Sequence, residues 1–177
     1  MTEARPFSRV VRVDAFPQDG QTVTIEATPA EREALASIFE LPAIAALTAT
    51  LRIEAWGRGG ARVTGAVHGE ITQICVVSLE PFPAAVDEAV DVQFAPQAAV
   101  ESRPPAAKET LSLAGEDEPD PLIDGRIDLG ALAAEFFALG LDPYPHKPGA
   151  SFDPPHDVSE ENSPFAALRR GAPRRSD

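Results

Sequence analysis

The chain has 177 residues, one cysteine and a formal net charge of −13, from 28 acidic and 15 basic residues. Its length corresponds to one domain of ordinary size with some additional tail. Phe, Leu, Ile and Val together make up 43 of the 177 residues, about 24%. This fraction lies above the ~20% below which a charged chain stays disordered. The 18 prolines are about twice average usage, so we expect a compact core together with irregular segments.

These features exclude several classes of protein. One cysteine excludes an intrachain disulfide framework and a zinc site made of cysteines alone. No apolar run reaches the ~18 residues of a membrane-spanning helix, and residues 1–13 lack the apolar region of a signal peptide. We therefore expect a cytoplasmic protein without membrane contact. The excess of acidic residues disfavours extensive electrostatic contact with nucleic acid. It has two interpretations, solubility or selection for a basic partner.

The first forty residues predict two strands and a helix. Residues 7–16 and 21–27 are rich in β-branched side chains and flank an Asp-Gly turn signal, which predicts a hairpin. Residues 28–39 begin Thr-Pro-Ala-Glu, and Thr28 with Glu31 is typical of a capping box. This segment is predicted to be helical.

Three longer strands are predicted next. Apolar and polar residues alternate most clearly in residues 46–56, and residues 61–75 and 85–94 show a similar pattern. Gly65 and Gly69 interrupt the middle segment, which predicts a bulge or bend there.

The remaining chain changes character twice. Residues 95–125 lack periodicity and are rich in acids and prolines, which predicts a long irregular acidic loop. Asp128 is then the predicted N-cap of a helix over residues 129–139. Residues 147–177 form a Pro-rich tail that ends in arginines, with a short apolar docking segment at residues 162–168.

These elements predict an α+β fold with a mostly antiparallel sheet, either open or barrel-like, and two main helices on one face or at one end. Residues 1–146 form the single predicted domain, which includes the acidic loop, and residues 147–177 are its tail.

The sequence presents no pattern typical of a catalytic, metal or cofactor site. Ser78 stands where a CxxC motif would have its second cysteine, and a single thiolate does not hold zinc by itself. The histidines are far from Cys75 in sequence, so the structural interpretation of Cys75 is favoured over the nucleophilic one. No phosphate-binding loop, dinucleotide-binding glycine motif or nucleophile elbow is present. We therefore expect a protein that is not an enzyme and needs no cofactor.

Two segments have alternative interpretations. Residues 142–146, Asp-Pro-Tyr-Pro-His, are held extended by two prolines and either stop the helix or form a contact surface. The terminal basic residues either contact RNA phosphate, fold back on the acidic loop or stay solvated; they are Arg169, Arg170, Arg174 and Arg175.

Three segments in order resemble motifs of one family. Residues 75–82, CVVSLEPF, resemble its C-x-x-C/T/S-L-E-P-F segment, and residues 127–146 resemble its DL…E…L-x-L-P-x-x-P-x-H segment. Residues 162–168, NSPFAAL, resemble its NPFA-x-L ending. The chain is thus similar to the YceD family, large ribosomal RNA subunit accumulation protein. Ser78 departs from the many relatives that have a second cysteine, which weakens any metal role drawn from the CxxC form.

The resemblance implies a role in large-subunit rRNA accumulation and ribosome biogenesis in bacteria and plastids, and it supplies no established catalytic residues to carry over to this chain. We expect a non-enzymatic factor that binds a ribosomal protein or a pre-ribosomal large subunit. The alternatives are an RNA-binding module that uses the terminal arginines, with rRNA as its partner, and an rRNA-processing enzyme. The candidate partner-contact residues are Cys75, Leu79, Glu80, Pro81, Phe82, Asp128, Glu135, Pro143, Tyr144, Pro145, His146, Pro164 and Phe165.

Overall fold

The computed structural model describes residues 6–17, 19–97 and 119–152. Residues 98–118 of the predicted acidic loop, and the predicted docking segment 162–168 with the arginines that follow it, lie outside the described residues. The elements in chain order are β1 (Val10–Arg12), a 3-10 turn (Val13–Ala15), β2 (Gln21–Glu26), α1 (Pro29–Ile38), β3 (Ala43–Trp56), β4 (Gly60–Ile74), β5 (Pro81–Pro96), β6 (Asp120–Leu122), β7 (Arg126–Asp128) and α2 (Leu129–Leu139).

The main sheet has five strands in the order β2-β3-β4-β5-β6. The first three pairings are antiparallel, and the short β6 pairs parallel with the end of β5. The α+β fold with a mostly antiparallel sheet is therefore confirmed. The sheet is open, with β2 and β6 at its edges, rather than barrel-like.

The sheet buries one face under the two helices. Side chains of β3 and β4 alternate between buried and more exposed positions, as the period of two in their sequences predicts. The buried positions join both helices in one core, whose largest fully buried side chains include Phe7, Leu35, Leu51 and Phe137. The rings of Phe39 on the α1 C-terminal side and Phe137 on α2 lie 5.7 Å apart.

The predicted N-terminal hairpin is wrong. β2 pairs with β3, whereas β1 pairs antiparallel with β7, more than a hundred residues later in the chain. The Asp128 carboxylate accepts hydrogen bonds from the Arg9 backbone N–H and the Ser8 hydroxyl, both at 2.7 Å. Local strand propensity cannot identify so distant a partner, because it contains no information on which edge is free.

The bulge predicted at Gly65 and Gly69 is also wrong. β4 runs without a break past Gly65 and Gly69, and the register shift lies in β3 between Ile44 and Ala46. A Cβ at Gly69 would come within 2.5 Å of the Phe137 ring, and one at Gly65 within 2.1 Å of the Thr50 carbonyl oxygen. These glycines therefore permit close packing of β4 against Phe137 and the backbone of β3.

Both helices begin where the sequence predicts. Thr28 and Glu31 form the predicted capping box at α1. The Asp128 carboxylate accepts from the backbone N–H groups of Gly130 and Ala131, as predicted for the N-cap of α2. No helix among the described residues is long and apolar enough to cross a bilayer.

Candidate functional site

Two segments that are far apart in sequence meet beside the end of β4. One is the turn of residues 75–80, and the other is the proline-containing segment of residues 142–147 that follows α2. The Val76 N–H donates to the Pro145 carbonyl at 2.9 Å, and Gln73 Nε2 donates to the Asp142 carbonyl at 3.2 Å. Residues from two of the three motif segments therefore lie on one part of the surface.

The first segment is a closed turn. The Cys75 N–H donates to the Glu80 carbonyl at 3.0 Å, and the Leu79 N–H donates to the Cys75 carbonyl at 2.9 Å. Leu79 closes the turn at a φ of 59°, a left-handed conformation that costs a non-glycine residue about 1–2 kcal/mol. The turn thus holds a bulky apolar side chain in a conformation that glycine would adopt without strain.

The Cys75 sulfur lies at the centre of this turn and is buried. It accepts hydrogen bonds from the backbone N–H groups of Val77 and Ser78, both at 3.4 Å. The Ser78 hydroxyl and then these N–H groups, together with that of Lys147, outweigh burial and lower the pKa of Cys75 to about 6. The serine in place of a second cysteine therefore stabilises a thiolate.

A salt bridge joins the two segments at the surface. Lys147 Nζ lies 2.7 Å from a Glu80 carboxylate oxygen. This contact lowers the pKa of Glu80 and raises that of Lys147. Both side chains are well exposed, so the bridge contributes little stability but orients the two segments.

The exposed side chains of this region are mainly apolar and aromatic. Val76, Leu79 and Tyr144 have exposed fractions of 45%, 75% and 71%, and His146 is exposed beside them in the chain. We call these four residues the two-motif surface. The Tyr144 backbone N–H donates to the Asp142 carboxylate at 2.8 Å, which fixes the backbone that carries the ring.

The other candidate contacts fall into three groups. The side chains of Cys75 and Phe82 are buried beneath the surface, whereas Pro81 and Pro143 are exposed and Pro145 is half-buried. Asp128 is the N-cap of α2 and Glu135 lies in the middle of this helix, and neither belongs to the two segments. The remaining candidates lie outside the described residues: Pro164, Phe165, Arg169, Arg170, Arg174 and Arg175.

The sequence did not single out three residues that join the two segments. Gln73, Val76 and Lys147 make the contacts that join the segments. Val76 belongs to a recognised motif, but Gln73 and Lys147 follow no periodicity that would distinguish them. In the described ranges, no three or more His, Cys, Asp or Glu side chains are grouped so as to hold a metal ion.

Comparison with known proteins shows the family. The family model described as large ribosomal RNA subunit accumulation protein YceD matches residues 63–170, which is more than half of the chain. The chain therefore belongs to the YceD family, as its motifs indicate. No curated protein and no solved structure matches it.

Proposed function

We propose that this protein supports accumulation of the large-subunit rRNA without catalysing a reaction, by binding a ribosomal protein or a pre-ribosomal large subunit in the cytoplasm. The family supports the ribosomal context. The observation that supports a binding role is the meeting of two motif segments at the two-motif surface, where exposed apolar and aromatic side chains stand on a hydrogen-bonded backbone. Such side chains typically anchor protein interfaces.

The charges of the described residues favour a protein partner over RNA. Of the eight Lys and Arg side chains in the described ranges, five are engaged in ion pairs with carboxylates, namely Arg9, Arg12, Arg52, Arg62 and Lys147. A phosphate-binding face needs several cations that are available together.

The proposal is tested in cells and in lysate. Deleting the gene in the organism that encodes it should lower the ratio of large-subunit to small-subunit rRNA, and the intact gene should restore it. The full chain with an N-terminal tag should recover a ribosomal protein or a pre-ribosomal large subunit at moderate salt. Recovery of neither, together with an unchanged rRNA ratio, would contradict the proposal.

A surface variant and a matched control locate the contact. Leu79→Ser with Tyr144→Ala should lose both the recovered ribosomal component and the rescue of rRNA. Ile38→Ser removes a side chain of 59% exposure on α1, outside the two motif segments, and should behave as the wild type. If the double variant retained full capture and rescue, the two-motif surface would not be the contact.

A further inference from the structure

A second surface lies between α2 and the turn that joins β6 to β7. It is a cleft of about 470 Å³ whose walls include Phe94, Pro121, Ala131 and Leu132. Two apolar side chains line it while remaining exposed to solvent, Val10 at 59% and Ile123 at 62%. Among the described residues, the cleft thus offers a partner an apolar surface that the core does not cover.

Carboxylates stand around this apolar lining. Asp120, Asp124 and Glu135 line the cleft with a single cation, Arg126. None of the three carboxylates forms an ion pair within the described part of the chain. Asp128 also lines the cleft, but it is occupied as the cap of α2.

The turn between β6 and β7 holds one of these carboxylates exposed to solvent. Asp124 and Gly125 both have left-handed backbone angles, with φ of 52° and 68°, as a tight two-residue turn requires. Ile123 pairs with Arg126 across the turn. The turn therefore places an apolar side chain and a carboxylate next to each other at the edge of the cleft.

We propose that this cleft binds a short basic segment of the protein partner, in which an apolar side chain lies between lysine or arginine residues. The apolar side chain packs beside Val10 and Ile123, and the cations pair with Asp120, Asp124 and Glu135. The charge of −13 favours the approach of such a segment and repels a phosphate backbone. The proposal rests on the proposed function, since it describes the chemistry of that partner, but it uses a different surface.

The probe is a fluorescein-labelled peptide, Lys-Leu-Lys-Lys-Leu-Arg, titrated with the full chain at about 50 mM salt while anisotropy is measured. Saturable binding with a Kd of roughly 10–100 µM is expected. The triple variant Asp120→Asn, Asp124→Asn, Glu135→Gln should weaken it about tenfold. Asp128 is untouched, so the cap of α2 persists, and circular dichroism checks the fold.

A matched control separates the cleft from general charge. Glu33→Gln, Glu40→Gln and Glu70→Gln make the same change in net charge at exposed carboxylates that lie outside the cleft, and should alter the Kd less than about twofold. A peptide with serine in place of both leucines should bind the wild type at least about threefold more weakly. Equal losses in both triple variants, or equal affinity of both peptides, would overturn the proposal.

Other occupants give different results. Peptide binding that emerges only after removal of residues 162–177 would assign the cleft to the chain's own end, and tighter binding of an oligouridylate than of the peptide would assign it to RNA. Either result overturns the proposal. If the cleft variant still captures the ribosomal component fully while Leu79→Ser with Tyr144→Ala does not, the cleft proposal fails and the proposed function stands.

Discussion

At the scale of single residues, two unusual side chains define the turn at the end of β4. Cys75 is buried with its sulfur surrounded by N–H and O–H donors, and Leu79 is exposed at a positive φ. Both arise from the closure of the same turn. Each predicts a measurable consequence that is independent of any partner.

Removing the Ser78 hydroxyl should raise the pKa of Cys75. Ser78→Ala deletes the largest cause of the lowering to about 6, whereas Ser78→Thr keeps the hydroxyl. The single cysteine allows the thiolate absorbance to be titrated without interference. A Ser78→Ala protein that titrates like the wild type would contradict this role of the hydroxyl.

The same shift predicts a pH dependence of stability. The folded pKa of Cys75, about 6, lies below the ~8.5 of an unfolded thiol. Deprotonation therefore favours the folded state, and the free energy of unfolding should rise between about pH 6 and pH 8.5 and lose this increment as the pH falls back through 6. Urea titrations across this range should show a smaller rise for Ser78→Ala.

Leu79→Gly should separate binding from stability. It removes the left-handed strain of Leu79 and loses little burial, so the free energy of unfolding should stay unchanged or rise by up to about 1 kcal/mol, while partner capture is lost. Leu139 has the same 75% exposure but a helical backbone, so Leu139→Gly should destabilise by up to about 1 kcal/mol. Thermal unfolding compares the two, and equal destabilisation would contradict the strain argument.

At the scale of elements, the N-terminal segment is attached through contacts with both helices. Arg9 pairs with Glu31 of α1 at 2.7 Å, and its backbone N–H reaches the Asp128 cap of α2. The Leu129 N–H donates to the Arg9 carbonyl at 3.0 Å. The helix ends and β1 therefore stabilise one another.

Neutralising Glu31 should weaken this attachment. Its hydrogen bond with Arg9, together with those from Thr28, lowers the pKa of Glu31 to about 2, below the ~4.3 of an unfolded glutamate. The stabilisation is present above about pH 4.3 and is lost as pH falls toward 2. Glu31→Gln should lower the free energy of unfolding by about 1–2 kcal/mol at neutral pH, and its stability should fall less steeply at acidic pH than that of the wild type. The substitution Glu33→Gln, at an exposed position, should change the free energy of unfolding by less than about 0.5 kcal/mol.

Because α2 lies very close to the N-terminal segment, Gly130→Ala should change the stability of the protein in the opposite direction from the one that helix propensity predicts. A Cβ at Gly130 would come within 2.8–2.9 Å of backbone atoms of Phe7, Ser8 and Arg9. Gly130→Ala should therefore destabilise by about 1–3 kcal/mol through overpacking, although alanine is the better helix former by about 1 kcal/mol. Urea denaturation measures the sign, and a stabilised variant would contradict this packing.

At the scale of the whole molecule, charge is distributed unevenly. Most described cations are paired with carboxylates, whereas Asp120, Asp124 and Glu135 of the cleft form no ion pair within the described residues. The protein thus combines exposed apolar and aromatic side chains beside the end of β4 with an acidic cleft beside α2. Basic ribosomal proteins have the complementary charge.

Deleting residues 169–177 tests the RNA-binding alternative. The deletion removes Arg169, Arg170, Arg174 and Arg175, and under the proposed function it should change affinity for a large-subunit rRNA fragment by no more than about twofold at physiological salt. Filter binding over a range of salt concentrations measures this. A tenfold loss with a flatter salt dependence would instead support direct phosphate contact by these arginines.

Local sequence determined the elements that depend on near neighbours. The Thr28–Glu31 capping box, the Asp128 cap and the alternation of β3 were all readable, because capping and side-chain period act over a few residues. The family also follows from short motifs in order, and the family match confirms it.

Only the tertiary structure decided which distant segments meet. The pairing of β1 with β7, the contact of Val76 with Pro145 and the cleft around Ile123 join segments far apart in the chain. Such contacts depend on the summed packing of the core, which no local pattern contains. The charge of −13 was evident from composition, but folding decided which carboxylates remain available to a partner, because it pairs most of the described cations with acids elsewhere.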